Sequence, residues 1–206
     1  MMFLFKIKLW PSFSQKYRIT IACCTCLLVI CVALGYSVWL SSPVLAEQAV
    51  TQLIKMKFSD LVEKMQVANW FGKFGIIFSN NLLVSLLIIL TGGILPILPI
   101  ILGIFPNGFI IGLMAGFFEY KQILTKGNFF LSLIPHGVFE IPAIIISAAV
   151  GMVWGAWNWR SLFKSTNSEW IISNLRETLT FLPLIITLLF IAAFMEVSVS
   201  PYLFST

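Results

Sequence analysis

The stretch ITIACCTCLLVICVALGYSVWL, Ile19 to Leu40, decides the fold. It carries no charged side chain, and a helix needs about 20 consecutive apolar residues to cross about 30 Å of hydrocarbon, so it is long enough to span a bilayer. Ahead of it Lys6, Lys8, Lys16 and Arg18 stand without a single acid. Basic residues are retained on the cytoplasmic side, which places the N-terminus there. A signal peptide is the competing reading, because Val44, Leu45 and Ala46 resemble a small-residue cleavage site. The apolar stretch is long for an ordinary h-region and further spans follow, so an uncleaved anchor is expected. Cys23, Cys24, Cys26 and Cys31 all fall inside this stretch. Neither a disulfide framework nor a zinc ribbon fits that placement. The CxxC of Cys23 and Cys26 reads as small polarizable apolar side chains.

The rest of the chain has the same character. Of 206 residues 59% are hydrophobic and 10% charged, with a mean hydropathy of +0.99, whereas a soluble domain carries roughly 25% charged residues. The expected fold class is all-α: a polytopic membrane protein of the cell membrane with about five transmembrane helices and one amphipathic interfacial helix. The net charge of +5 comes from 13 Lys and Arg dispersed over the N-terminus and the loops. No basic run is long enough to read as a nucleic-acid site, and lipid headgroups are the expected contact.

Between Glu47 and Lys73 the pattern changes. At helical spacing Val50, Ile54, Phe58, Leu61, Met65 and Ala68 share one face, with Gln52, Lys55, Ser59, Glu63 and Gln66 opposite. This is an amphipathic connector, either lying on the membrane or docking a partner, with Trp70 and Phe71 as interfacial anchors. Asn80 to Phe118 is long enough for the second and third spans but is broken by Gly92, Gly93, Pro96, Pro99 and Phe105-Pro106-Asn107-Gly108. The turn falls either at Pro106 and Asn107, or near Pro96 with Asn107 inside a longer third span. Gly108, Gly112 and Gly116 recur every four residues, as do Gly151 and Gly155. Such faces let another helix backbone approach closely, within one chain or in a homo-oligomer. The fourth span is expected at about Phe129 to Trp154, a loop over Ala156 to Glu177, and the fifth span at about Thr178 to Ser200, which leaves the C-terminus outside.

Ionisable residues inside a span cost at least ~3 kcal/mol, so each needs a partner or a purpose. His136, Glu140 and Glu196 qualify. His136 and Glu140 are four apart and share a helix face, Pro135 can start that helix, and Pro142 disturbs it just beyond the pair. Because the fourth and fifth spans run antiparallel, an early residue of one shares a leaflet with a late residue of the other. The expectation is one buried polar cluster of His136, Glu140, Glu196 and Asn81. A structural lock is the plain reading of such a cluster; proton or ion handling and metal chemistry are the alternatives. HxxxE lacks the second histidine of HExxH, and no GxSxG, Walker A or Rossmann glycine pattern is present, so neither catalysis nor a cofactor is expected.

The run Ile134-Pro135-His136-Gly137-Val138-Phe139-Glu140-Ile141-Pro142-Ala143 resembles the PHGxxE signature of the stage II sporulation protein M family. Ser79-Asn80-Asn81-Leu82, Phe105-Pro106-Asn107-Gly108 and Ala192-Ala193-Phe194-Met195-Glu196, with Ser200-Pro201, follow in that family's order. The resemblance covers about Phe74 to Pro201 and carries over Asn81, Asn107, His136, Gly137, Glu140 and Glu196. It implies a multi-span membrane protein. In spore formers the namesake acts with stage II sporulation proteins D and P, which degrade peptidoglycan, so the implied role is a scaffold that localises envelope enzymes. Membrane or envelope proteins are then the expected partners. A small transporter or channel component is the competing class, because transporters place broken helices at binding sites.

Overall fold

The computed structural model describes residues 13–55, 64–65, 67–163 and 168–198; of Lys126, Ser132, Pro135, His136 and 168–173 only the backbone is described. Among these residues every regular element is helical, and five helices are long and apolar enough to cross a bilayer: Gln15–Ser41, Trp70–Ile94, Ile100–Tyr120, Gly137–Phe163 and Asn174–Ser198.

Helix α1, Gln15–Ser41, is the first span and runs 27 residues, about 40 Å at 1.5 Å per residue. It stops at Ser42, the residue before Pro43, where the proline ring disfavours helical backbone. Pro43 then opens α2, Pro43–Leu53, from a first-turn position in which its missing N–H costs nothing. Ala46 and Val50 of α2 are buried with Trp39 and Leu113, and Lys121 pairs with Glu47 at 2.5 Å. The amphipathic connector therefore begins at Pro43, earlier than the pattern suggested. Its central residues 56–63 and 66, with Phe58 and Leu61, lie outside the described set.

Helix α3, Trp70–Ile94, is the second span, and it starts well before Asn80. The Asn69 side chain accepts from the Gly72 N–H at 2.9 Å, satisfying one of the N–H groups a helix start leaves without a partner. Trp70 and Phe71 thus belong to the span and do not end the connector. Leu83, Leu87, Leu90 and Ile94 are exposed at helical spacing, an outward stripe suited to lipid. The helix closes at Leu95, extended ahead of Pro96.

The turn between the second and third spans is Leu95 to Pro99. A π-helical segment, Ile100–Ile104, leads directly into α4, Phe105–Tyr120, so Asn107 lies inside the third span. The Phe105 N–H reaches back to the Ile100 carbonyl, and the Asn107 side-chain amide donates to the Gly103 carbonyl at 2.7 Å, where the ladder shifts register and Pro106 has no N–H to give. Helix α5, Lys126–Phe163, passes without interruption through Pro135 and Pro142. Pro135 does not start it, and the expected loop from Ala156 is helical as far as Phe163. Helices α6, Ser168–Leu179, and α7, Leu182–Ser198, complete the fifth span.

Both glycine stripes are occupied within the chain. A Cβ on Gly112 would overlap the Val32 carbonyl, and one on Gly108 would sit 2.7 Å from the Cys31 Cβ. One on Gly116 would strike the Trp39 indole. Spans one and three therefore meet backbone to backbone, side by side and parallel. Trp39 Nε1 donates to the Leu113 carbonyl across this seam at 2.8 Å, and Tyr36 donates to Glu119 at 2.7 Å. Spans two and four form the second parallel seam, with Gly92 against Gly151, Gly155 against the Gly92 carbonyl, and Gly93 against Trp154. Helix α7 packs antiparallel to both, its Ile185 and Leu189, with Phe181 just before it, buried with Ile89, Ala143, Val150 and Val153.

Candidate functional site

The sequence motifs fall into separate layers of this bundle. Along the α3–α5 seam Ile88 meets Gly151 and Gly93 meets Trp154. Following that register back up the two parallel helices puts Asn81 level with Ala143, and indeed Leu82 packs on the cluster containing Ala143. Along α5 and α7 the pairing runs the other way. Ala143, Val153, Phe181 and Ile185 belong to one buried cluster. The aromatic pairs of α3 and α7, Trp70 with Phe194 and Phe74 with Phe190, put Glu196 near the start of α3, about three turns from Asn81.

Their surroundings differ from those of ordinary surface carboxylates. Glu140, Glu196 and Asn81 are each half-buried, and neither carboxylate is without an interaction. Asn80, exposed, points its amide nitrogen at the Asn81 carbonyl oxygen, 3.4 Å away. An aromatic ladder closes the α3–α7 face between the Trp70–Phe194 and Phe78–Phe190 pairs. Trp70 meets Phe194 edge-on at 5.9 Å and Phe74 meets Phe190 at 5.1 Å. Such edge contacts each add about 0.5–1.5 kcal/mol beyond area burial. The backbone of His136 lies one turn before Glu140 in α5; its side chain and that of Pro135 lie outside the described set.

Asn107 and Gly108 lie on the third span. Gly108 faces Leu28 and Cys31, and Leu28 packs with Ala148 and Ala149. The π segment and Asn107 therefore sit about two turns deeper than Glu140, near mid-membrane. Gly137 lines an open apolar groove between α1, α4 and α5. Gly151 and Gly155 belong to the α3–α5 seam toward the opposite surface.

That opposite surface holds polar contacts not expected from the sequence. The last carbonyls of a helix have no partner within it. Here Asn158 donates to the Gly93 carbonyl at 2.8 Å and Trp159 Nε1 to the Ile94 carbonyl at 2.7 Å, capping α3 from α5. Lys16 pairs with Glu177 at 2.8 Å and lies 4.3 Å from the centre of the Trp157 ring. The signal was the run Trp157-Asn158-Trp159 just after the Gly151 and Gly155 stripe.

With the order and placement of these motifs in view, comparison with known families is decisive: the family model for Stage II sporulation protein M matches residues 24–201. The chain belongs to that family. The match reaches back into α1 and so takes in the α1–α4 seam as well as the PHGxxE segment of α5. No curated protein and no solved structure matches it. In this member of the stage II sporulation protein M family the motif residues are spread along the bundle: Glu196 near the end of α7, Glu140 in the first half of α5, Asn81 well inside α3 and Asn107 beside the π segment.

Proposed function

We propose that this protein is a non-catalytic membrane scaffold that localises cell-envelope proteins, peptidoglycan-remodelling enzymes among them. The observation that carries this reading is family membership over residues 24–201. Two features of the bundle support it. The helices that present Asn81 and Glu140 run unbroken from Trp70 to Ile94 and from Lys126 to Phe163, whereas the broken stretch, Leu95 to Ile104, begins at the other surface. A transporter places its broken helices at the site itself. Helix α2, meanwhile, is pinned on the α1–α4 pair through Ala46, Val50 and the Lys121–Glu47 contact, and leaves Val44 and Leu45 exposed. With the N-terminus cytoplasmic, as the basic residues before α1 favour, α2, Glu140 and Glu196 lie toward the outside, where wall enzymes work.

The test is crosslinking and affinity purification from native membranes, comparing the full chain with a variant in which residues 47–68 are replaced by a flexible linker. Recovery of envelope proteins by the full chain and their loss from the variant is the expected result. Recovery of nothing but copies of the chain itself would sink the scaffold.

A further inference from the structure

A groove of about 600 Å³ runs along the outer seam between α1 and α5. Phe13, Ile21, Pro142, Ile145 and Ile146 form its walls, and Arg18 stands at its end. The Phe13 ring is held edge-on by Phe181 at 5.4 Å. The hydroxyl of Thr25, which also lines the groove, is spent on the Ile21 carbonyl at 2.9 Å. What remains is an apolar trough, open sideways, with one cation at one end.

The cation is available. Arg18 is exposed and makes no ion pair among the described residues, while Glu177, the acid paired at this surface, is taken by Lys16. Arg18 lies three residues into α1, so its Cα sits about 4.5 Å along the axis from the helix start. Trp157, stacked under Lys16, marks this height as the headgroup boundary, where tryptophan concentrates. A second hollow, lined by Gln15, Ile19 and Ala22, flanks Arg18 on its other side, so the guanidinium is open to a ligand from both.

We propose that this seam is a binding site for an anionic glycerophospholipid of the phosphatidylglycerol class, one acyl chain lying in the trough and the phosphate held by Arg18. The trough opens into the hydrocarbon, so its occupant arrives laterally from the bilayer. A guanidinium offers a phosphate two parallel charge-assisted hydrogen bonds, and basic pockets between spanning helices select anionic headgroups. The proposal stands whether or not the chain is a scaffold.

The test uses the full chain in mild detergent, with native mass spectrometry counting bound lipid as phosphatidylglycerol or phosphatidylcholine of identical acyl chains is added. Wild type retains one phosphatidylglycerol in preference to phosphatidylcholine. Arg18→Gln weakens phosphatidylglycerol binding about fivefold, the effect of one basic residue at an anionic surface. Lys73→Gln, the same charge change at the far surface, does not. Thr25→Trp fills the trough from an exposed position and displaces both lipids. Equal retention of the two lipids by wild type, unchanged binding in Arg18→Gln, or unchanged binding in Thr25→Trp would each overturn the proposal.

Discussion

Gly112→Ala adds a single methyl at the point where α1 and α4 come closest. The new Cβ would overlap the Val32 carbonyl and lie 2.8 Å from the Tyr36 amide nitrogen. Both obstacles are backbone, so no side chain can swing aside and the helices must separate along the seam. Overpacking a tight interior typically costs about 1–3 kcal/mol, and with rigid atoms on both sides the upper end, about 3 kcal/mol, is expected. Separation also strains the Trp39-to-Leu113 and Tyr36-to-Glu119 hydrogen bonds. The assay is reversible unfolding in mixed micelles followed by tryptophan fluorescence, with Gly137→Ala as the companion. A Cβ on Gly137 meets only its own helix, at 3.6 and 3.8 Å, so that variant should be neutral or gain the roughly 0.5–1 kcal/mol that alanine has over glycine in a helix. If Gly112→Ala is as stable as wild type but loses an oligomer seen in wild type, the glycine stripe joins two chains and the seam described here is wrong.

Three further expectations follow from the polar contacts. Asn158→Leu leaves the Gly93 carbonyl without its donor and should destabilise by about 1 kcal/mol in the same unfolding assay; no loss would mean another donor takes over. Glu140→Gln and Glu196→Gln should each lower stability, and if the two carboxylates share one polar network the double variant should depart from additivity by more than about 0.5 kcal/mol. Additive losses would separate the two carboxylates, and solute flux in proteoliposomes that disappears with either would favour transport over scaffolding. Lys16→Met should cost under about 1 kcal/mol, because both partners of that ion pair are about a third exposed and screened. High salt should erase the difference.

The span count was legible because each apolar block exceeds the length of hydrocarbon it must cross. The start of the second span was not. Trp70, Phe71 and Lys73 look like the interfacial end of an amphipathic segment, and only the packing of Trp70 and Phe74 on Phe194 and Phe190 draws them into the bundle. Nor could the sequence choose between Pro96 and Pro106 for the turn, since both prolines sit among glycines. The choice is made in three dimensions, by Gly103 fitting against Ile88. The His136 and Glu140 spacing was visible on one helix, whereas the heights of Glu196 and Asn81, about three turns apart on the α3–α7 ladder, were not. Asn81 was expected at a span entrance and lies well inside one, level with Ala143. Asn107 shares the family motif but lies deeper than Glu140, because interhelical register is not written in local spacing.

The two glycine seams also set a timetable for biosynthesis. Trp39 and its acceptor Leu113 are 74 residues apart, and Asn158 and Gly93 are 65 apart. Each seam joins a helix to the next-but-one, so no hairpin of neighbouring spans can finish either contact. At a synthesis rate of about 5–20 residues per second, the first helix waits about 4–15 s in the membrane before its partner emerges, its Gly35 face open to lipid or to a chaperone. Slowing the ribosome between Ser41 and Phe105 lengthens that interval, and degradation of the nascent chain should rise with it.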